Sequence, residues 1–164
     1  MAEANYLYSR FALNLLRGNV GDLEDEGTKV KVALLQATYT FDQHMHDSWA
    51  SVSAYEASGP GYTSGGDELV GKQVVQGEDV ITFLCAAVDL QGRHALWGVE
   101  GQTGEAISIV ARYGVIYDDT PTEAADKKLI AFLDFGEERE AYQSEFGITF
   151  HEEGIFRCTV ATPL

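Results

Sequence analysis

At 164 residues with 45% hydrophobic side chains, the chain is long enough for one domain with a packed core, short for two, and too apolar for wholesale disorder. Its net charge of −15 is spread evenly, with 12 acidic against 5 basic residues over 1–82 and 14 against 6 over 83–164. A uniformly acidic surface repels phosphate backbones, which argues against nucleic acid as a partner. No apolar run reaches the roughly 18–20 residues of a membrane helix, and Met1-Ala2-Glu3-Ala4-Asn5 lacks the basic and apolar regions of a secretory signal. The expectation is a chain made in the cytoplasm, with no membrane partner.

An N-terminal amphipathic helix is predicted over 5–17. Asn5 suits the N-cap, and Leu7, Phe11 and Leu15 repeat at a spacing of four, as do Tyr8, Ala12 and Leu16. Arg17 favours a helix C-terminus, and Gly18 stands where a left-handed residue belongs. The acidic connector Gly21–Gly27 leads to Lys29-Val30-Lys31-Val32-Ala33-Leu34-Leu35, which alternates and then turns wholly apolar, as a strand entering a core does. Asp47 stands near the cap of a short helical turn over 46–52. Glycine and proline make Gly59–Gly66 a loop.

From Leu69 onward the pattern is β. Lys72–Val75 and Val80–Leu84 flank a turn at Gly77-Glu78-Asp79, and Ile107–Tyr117 places Ile107, Ile109 and Ala111 on one face. Leu129–Phe135, Gly147–Phe150 and Ile155–Val160 complete the set. Short strands with few intervening helices predict a mainly β, antiparallel sandwich or barrel, jelly-roll-like, with one N-terminal α-helix. The whole of 1–164 reads as a single domain, with its β-rich body over 28–162.

The P-loop, the dinucleotide fingerprint and the nucleophile elbow are all missing from the sequence. In an extended Asp42-Gln43-His44-Met45-His46-Asp47, Asp42, His44 and His46 would share a face, a conceivable metal half-site outweighed by a polar loop. The 26 acidic residues make adjacent carboxylates such as Glu152-Glu153 a matter of composition, so they read as solvated faces and turns. The Gly21–Gly27 cluster lacks the alternating ligands of a calcium loop. Cys85 and Cys158, far apart and among apolar neighbours, read as buried free thiols. Neither an enzyme nor a bound cofactor is expected. Interaction candidates are the helix stripe Leu7, Phe11 and Leu15, with Trp49 and Tyr62 as aromatic anchors in loop-like surroundings.

Several ordered segments carry a resemblance. They are Tyr6-Leu7-Tyr8-Ser9-Arg10-Phe11, the acidic connector, Lys29–Leu35, Tyr39-Thr40-Phe41-Asp42-Gln43-His44 and Gly59–Gly66. Ala111–Thr120, Leu129–Gly136 and Gly154-Ile155-Phe156 follow. In this order the chain resembles a family of small virion structural proteins of tailed bacteriophages; only the stretch from about Phe83 to Gly104 departs from that pattern. The resemblance implies a non-enzymatic virion part. A capsid decoration, or cement, protein leads: a homotrimer on the outer face of the shell, with the major capsid protein as partner. A tail or neck adaptor or fibre-associated piece is the first alternative. A carbohydrate- or receptor-binding module using Trp49 and Trp97 is the second.

Overall fold

The computed structural model describes residues 4–98 and 104–159, and its centre is a five-stranded antiparallel sheet. The strands are β1 (Ala4–Leu7), β2 (Val30–Leu35), β3 (Asp67–Glu68), β4 (Gln73–Gln76), β5 (Val80–Leu84), β6 (Ala95–Trp97), β7 (Ile107–Asp118), β8 (Leu129–Ser144), β9 (Phe146–Ile148) and β10 (Phe156–Thr159). The five-stranded sheet runs β1-β8-β7-β2-β3; β10-β5-β4 and β6-β9 form smaller sheets. The molecule is thus mainly β with one N-terminal helix, α1 (Ser9–Leu16), in a sandwich-like layout.

Alternation explains how the large sheet buries both faces. The register pairs Tyr6 with Phe132, Phe132 with Val115 and Val115 with Ala33, so these side chains share one face. There the segment after β2 lays Phe41 flat on Phe132, with centroids 4.1 Å apart and an interplanar angle of 7°. Tyr39 packs against Tyr113 and Phe132 on the same side. The opposite face carries Leu7, Ala131, Leu133, Ile116, Val32 and Leu34, which belong to or pack against one core cluster with Phe83, Trp97 and Ile148 of the smaller sheets. The Phe146 ring meets both Phe135 and Trp97. Burying such large rings and branched side chains supplies the dominant favourable term, about 1.5–3 kcal/mol each relative to exposure.

The β7–β8 pair follows the expected strands, but β8 continues nine residues past Phe135, through Glu137–Glu140. Asp134 pairs with Tyr113 and Arg139 with Ala111, so residues 135–138 of β8 bulge opposite Arg112 alone. Gly136 takes φ +80° at the bulge, and Asp134 accepts from both the Gly136 amide and the Arg112 guanidinium. Ile107, Ile109 and Ala111 are buried, as their alternation predicts. The β4–β5 hairpin also forms where expected. The tail of the predicted body, 160–162, lies outside the described residues.

The predicted helix over 5–17 is corrected in its first half. Residues 4–7 form β1 instead, pairing antiparallel with β8 from Ala4↔Asp134 to Leu7↔Ala131. The Tyr-Leu-Tyr alternation wins over the spacing of four because pairing supplies a full ladder of main-chain bonds and puts Tyr6 on Phe41 and Phe132. Tyr8, not Asn5, takes the N-cap position and makes no side-chain cap bond. At the other end Arg17 caps the helix and Gly18 is left-handed at φ +70°, as expected.

Candidate functional site

Several carboxylates are committed to holding loops. Asp119 accepts from Lys31 at 2.8 Å and from Lys127 at 2.5 Å, tying the start of the β7–β8 connection to β2. Burial raises the Asp119 pKa, but the two ammonium groups outweigh it and hold the carboxyl below its usual range. Asp118 is buried and accepts from the amides of Gly21 and Thr120. Asp89 bonds the Arg93 side chain and the amides of Gln91 and Arg93, and Arg93 reaches across to Glu145 at 2.9 Å. Glu56 gathers the Gly59–Gly66 loop: it accepts from Tyr62 Oη at 3.0 Å, Ser64 Oγ at 2.7 Å and the Gly65 amide at 2.6 Å.

The Asp42–Asp47 run does not stay extended, so its two imidazoles part. Asp42 accepts from the amides of His44 and Met45 and closes a turn. His44 Nδ1 then pairs with Ser9 Oγ at 2.8 Å, and His46 Nδ1 with Tyr39 Oη at 2.6 Å. Tyr39 Oη in turn meets Tyr8 Oη at 3.0 Å, and burial pushes the Tyr39 phenol up to about 12. Asp47 does not cap the following turn either. Two 3₁₀ turns, Trp49–Ser51 and Ser53–Tyr55, begin beyond it, while its carboxylate takes Asn14 at 2.7 Å and Lys128 at 2.8 Å. Among the described residues no cluster of three or more His, Cys, Asp or Glu is placed to hold a metal.

The five predicted interaction residues scatter. Leu7 is half-buried on β1, and Phe11 is 1% exposed with its edge on Phe156, centroids 5.4 Å apart. Leu15 is 45% exposed and its neighbour Leu16 88%, so only the last turn of α1 offers apolar surface. Trp49 lies flat on Tyr117, centroids 4.5 Å apart. Tyr62 Oη, besides meeting Glu56, accepts from the Leu34 amide at 3.1 Å, so the ring secures a loop along the edge of β2. Trp97, expected at a surface for a glycan-binding alternative, is completely buried. Cys85 is buried as expected, with its thiol pushed up to about 12 by burial; Cys158 is exposed, because β10 runs out along an edge with its side chains in solvent.

The surface that stands out is one the sequence reading did not select. All four residues of β4 are exposed; Val74 and the diagonally placed Ile81 of β5 present apolar side chains on one face of the hairpin, and Val75 on the other. Glu24 accepts from the Val74 amide at 3.0 Å, which lays the acidic connector along the outer edge of β4. Lys72 Nζ donates to the Thr28 carbonyl at 2.6 Å and fixes the same contact. Carboxylates of Glu24, Glu78 and Asp79 therefore flank an apolar hairpin. The signal was present: Gln73-Val74-Val75-Gln76 brackets two adjacent valines with glutamines, which no single buried face satisfies. Compared with known proteins, the chain matches no family model, no curated protein and no solved structure.

Proposed function

We propose that this chain is a non-enzymatic structural protein of a tailed-phage particle, and that it decorates the outer face of the capsid shell as a cement protein. The observation that carries the non-enzymatic part is the wiring of its ionisable groups. Asp47, Asp89, Asp118, Asp119, Asp134 and Glu56 each hold a loop or bulge through named donors, which is how a part built for rigidity uses its charges. The ordered sequence resemblance supplies the virion setting. The acidic surface suits a crowded outer position, since like charge keeps neighbouring copies soluble and repels packaged DNA. The exposed β4–β5 hairpin, apolar with an acidic rim, is the surface offered to the shell.

Because β1 pairs with β8 and Phe11 is buried in the body, removing the N-terminal residues would unfold the protein, and surface variants are the suitable probes. Quantitative mass spectrometry of purified particles reads copy number: hundreds per particle supports the shell, and a dozen or fewer moves the protein to the tail or neck. Particles lacking it should release DNA at a lower temperature, and re-addition of the purified protein should restore the value. Re-addition of Val75→Glu should not. Equal release temperatures with and without the protein would overturn the cement role.

A further inference from the structure

The five-stranded sheet ends in β1, and the three-stranded sheet ends in β10. Between these two edges the sandwich is open. A cleft of about 240 Å³ lies against Leu7, Ala131 and Phe156, and a larger one of about 680 Å³ lies against Leu133, Ile148 and Phe150; Asn5 borders both. They adjoin at Asn5 as one slot walled by both layers, with an apolar floor and with His94, His151, Glu152 and Arg157 also in its lining. The register fixes what β1 shows to it. The Tyr8 amide donates to the Ile130 carbonyl at 3.1 Å, so Tyr8, Tyr6 and Ala4 turn their main-chain groups inward to β8. Asn5 and Leu7 must turn theirs outward. Gln43 Nε2 covers the Leu7 carbonyl at 2.9 Å. Among the described residues the Asn5 amide, the Asn5 carbonyl and the Leu7 amide have no partner.

We infer that this slot is a strand-addition site, and that it takes an extended, net-basic segment of a partner polypeptide whose apolar residues alternate. Three observations choose this occupant. Unused main-chain donors and an acceptor on a sheet edge call for another strand, which supplies both. The apolar floor beneath the edge accepts every second side chain of such a strand. A chain of net charge −15 repels a second copy of itself and attracts a basic segment. The inference does not depend on the virion setting; it is a property of the edge.

The test uses the full chain and a displayed library of random nonapeptides. Selected peptides should carry apolar residues at alternate positions with a positive net charge. Hydrogen exchange should show their binding slowing the amides of Asn5 and Leu7 and leaving the β4 amides unchanged. Asn5→Pro removes an outward N–H without breaking the β1–β8 ladder, so its melting temperature should stay near wild type while peptide affinity falls about tenfold, the loss of one main-chain hydrogen bond. Thr149→Trp, filling the slot from its exposed rim, should abolish binding. Selection of no peptide, protection elsewhere, or unchanged affinity in both variants overturns the site. Self-association that both variants abolish overturns the partner in favour of a second copy.

Discussion

Gly66 is where the Gly59–Gly66 loop presses against β2 of the central sheet, and it allows a sharp test of that loop's role. Its φ is +81°, and a Cβ built there would stand 2.0 Å from the Val32 carbonyl oxygen and 2.6 Å from the Val32 carbonyl carbon. Both are main-chain atoms of β2, so the conflict is relieved only by moving a strand or the loop. Gly18 provides the control: its φ is +70°, but nothing lies within 4 Å of the added Cβ. An alanine at either site accepts the left-handed penalty of roughly 1–2 kcal/mol. Gly66→Ala adds an overpacking cost of about 1–3 kcal/mol, for a total of roughly 2–5 kcal/mol. At about 2–4 °C per kcal/mol for a domain of this size, Gly18→Ala should lower the melting temperature by about 2–8 °C and Gly66→Ala by about 4–20 °C. Circular dichroism melts and urea titrations of both variants measure the difference. A Gly66→Ala protein no less stable than Gly18→Ala refutes the close approach and the loop's place against β2.

The remaining expectations concern single groups. Phe11→Ala should cost about 3–5 kcal/mol in urea denaturation, whereas Leu15→Ala, one turn further along α1, should stay within about 0.5 kcal/mol. At neutral pH a thiol reagent should label one cysteine per chain quickly, Cys158, and reach Cys85 only on unfolding, because Cys85 is buried and its pKa is pushed up to about 12. Cys158→Ser should abolish the fast phase. Burial raises the Asp67 pKa above its usual value, ahead of opposing bonds from the Leu96 and Glu68 amides. A raised folded value means stability is lost as pH rises from the ordinary carboxyl range through that value. Asp67→Asn, which keeps an acceptor for the Leu96 amide, should therefore raise the melting temperature at pH 7 and give little gain at pH 3; the reverse order would contradict the assignment.

How much of this was legible depends on whether a signal was local. Ile107–Asp118, Val30–Leu35 and the β4–β5 hairpin were readable because alternation, apolar runs and turn residues agreed within each segment. The β1 strand was not, since Leu7, Phe11 and Leu15 satisfy a helical stripe and only β8, far along the chain, tips residues 4–7 into a sheet. The aromatic anchors failed for a related reason. Trp49 and Tyr62 sit in loop-like sequence, but the surfaces that receive them, Tyr117 and the Leu34 amide, belong to strands that no local pattern connects to them. Likewise His44 and His46 share a face only if the backbone is extended, and the Asp42 turn removes that condition.

The pairing of Ala4 with Asp134 also sets an order of events during biosynthesis. Residue 4 is synthesised before its sheet partner, 130 positions later, and cannot complete its sheet until that partner has followed. At about 5–20 residues per second that delay is roughly 6–26 s, during which Tyr6 and Leu7 lack their strand partner. Contacts this distant in sequence also slow the final collapse, since the loop must close before it is rewarded. Residues 4–7 are thus open to mispairing with neighbouring chains on a polysome until β8 has emerged. Stalling translation between residues 118 and 129 should raise the aggregated fraction, while a stall in a C-terminal extension long enough to bring residue 144 out of the ribosome should not.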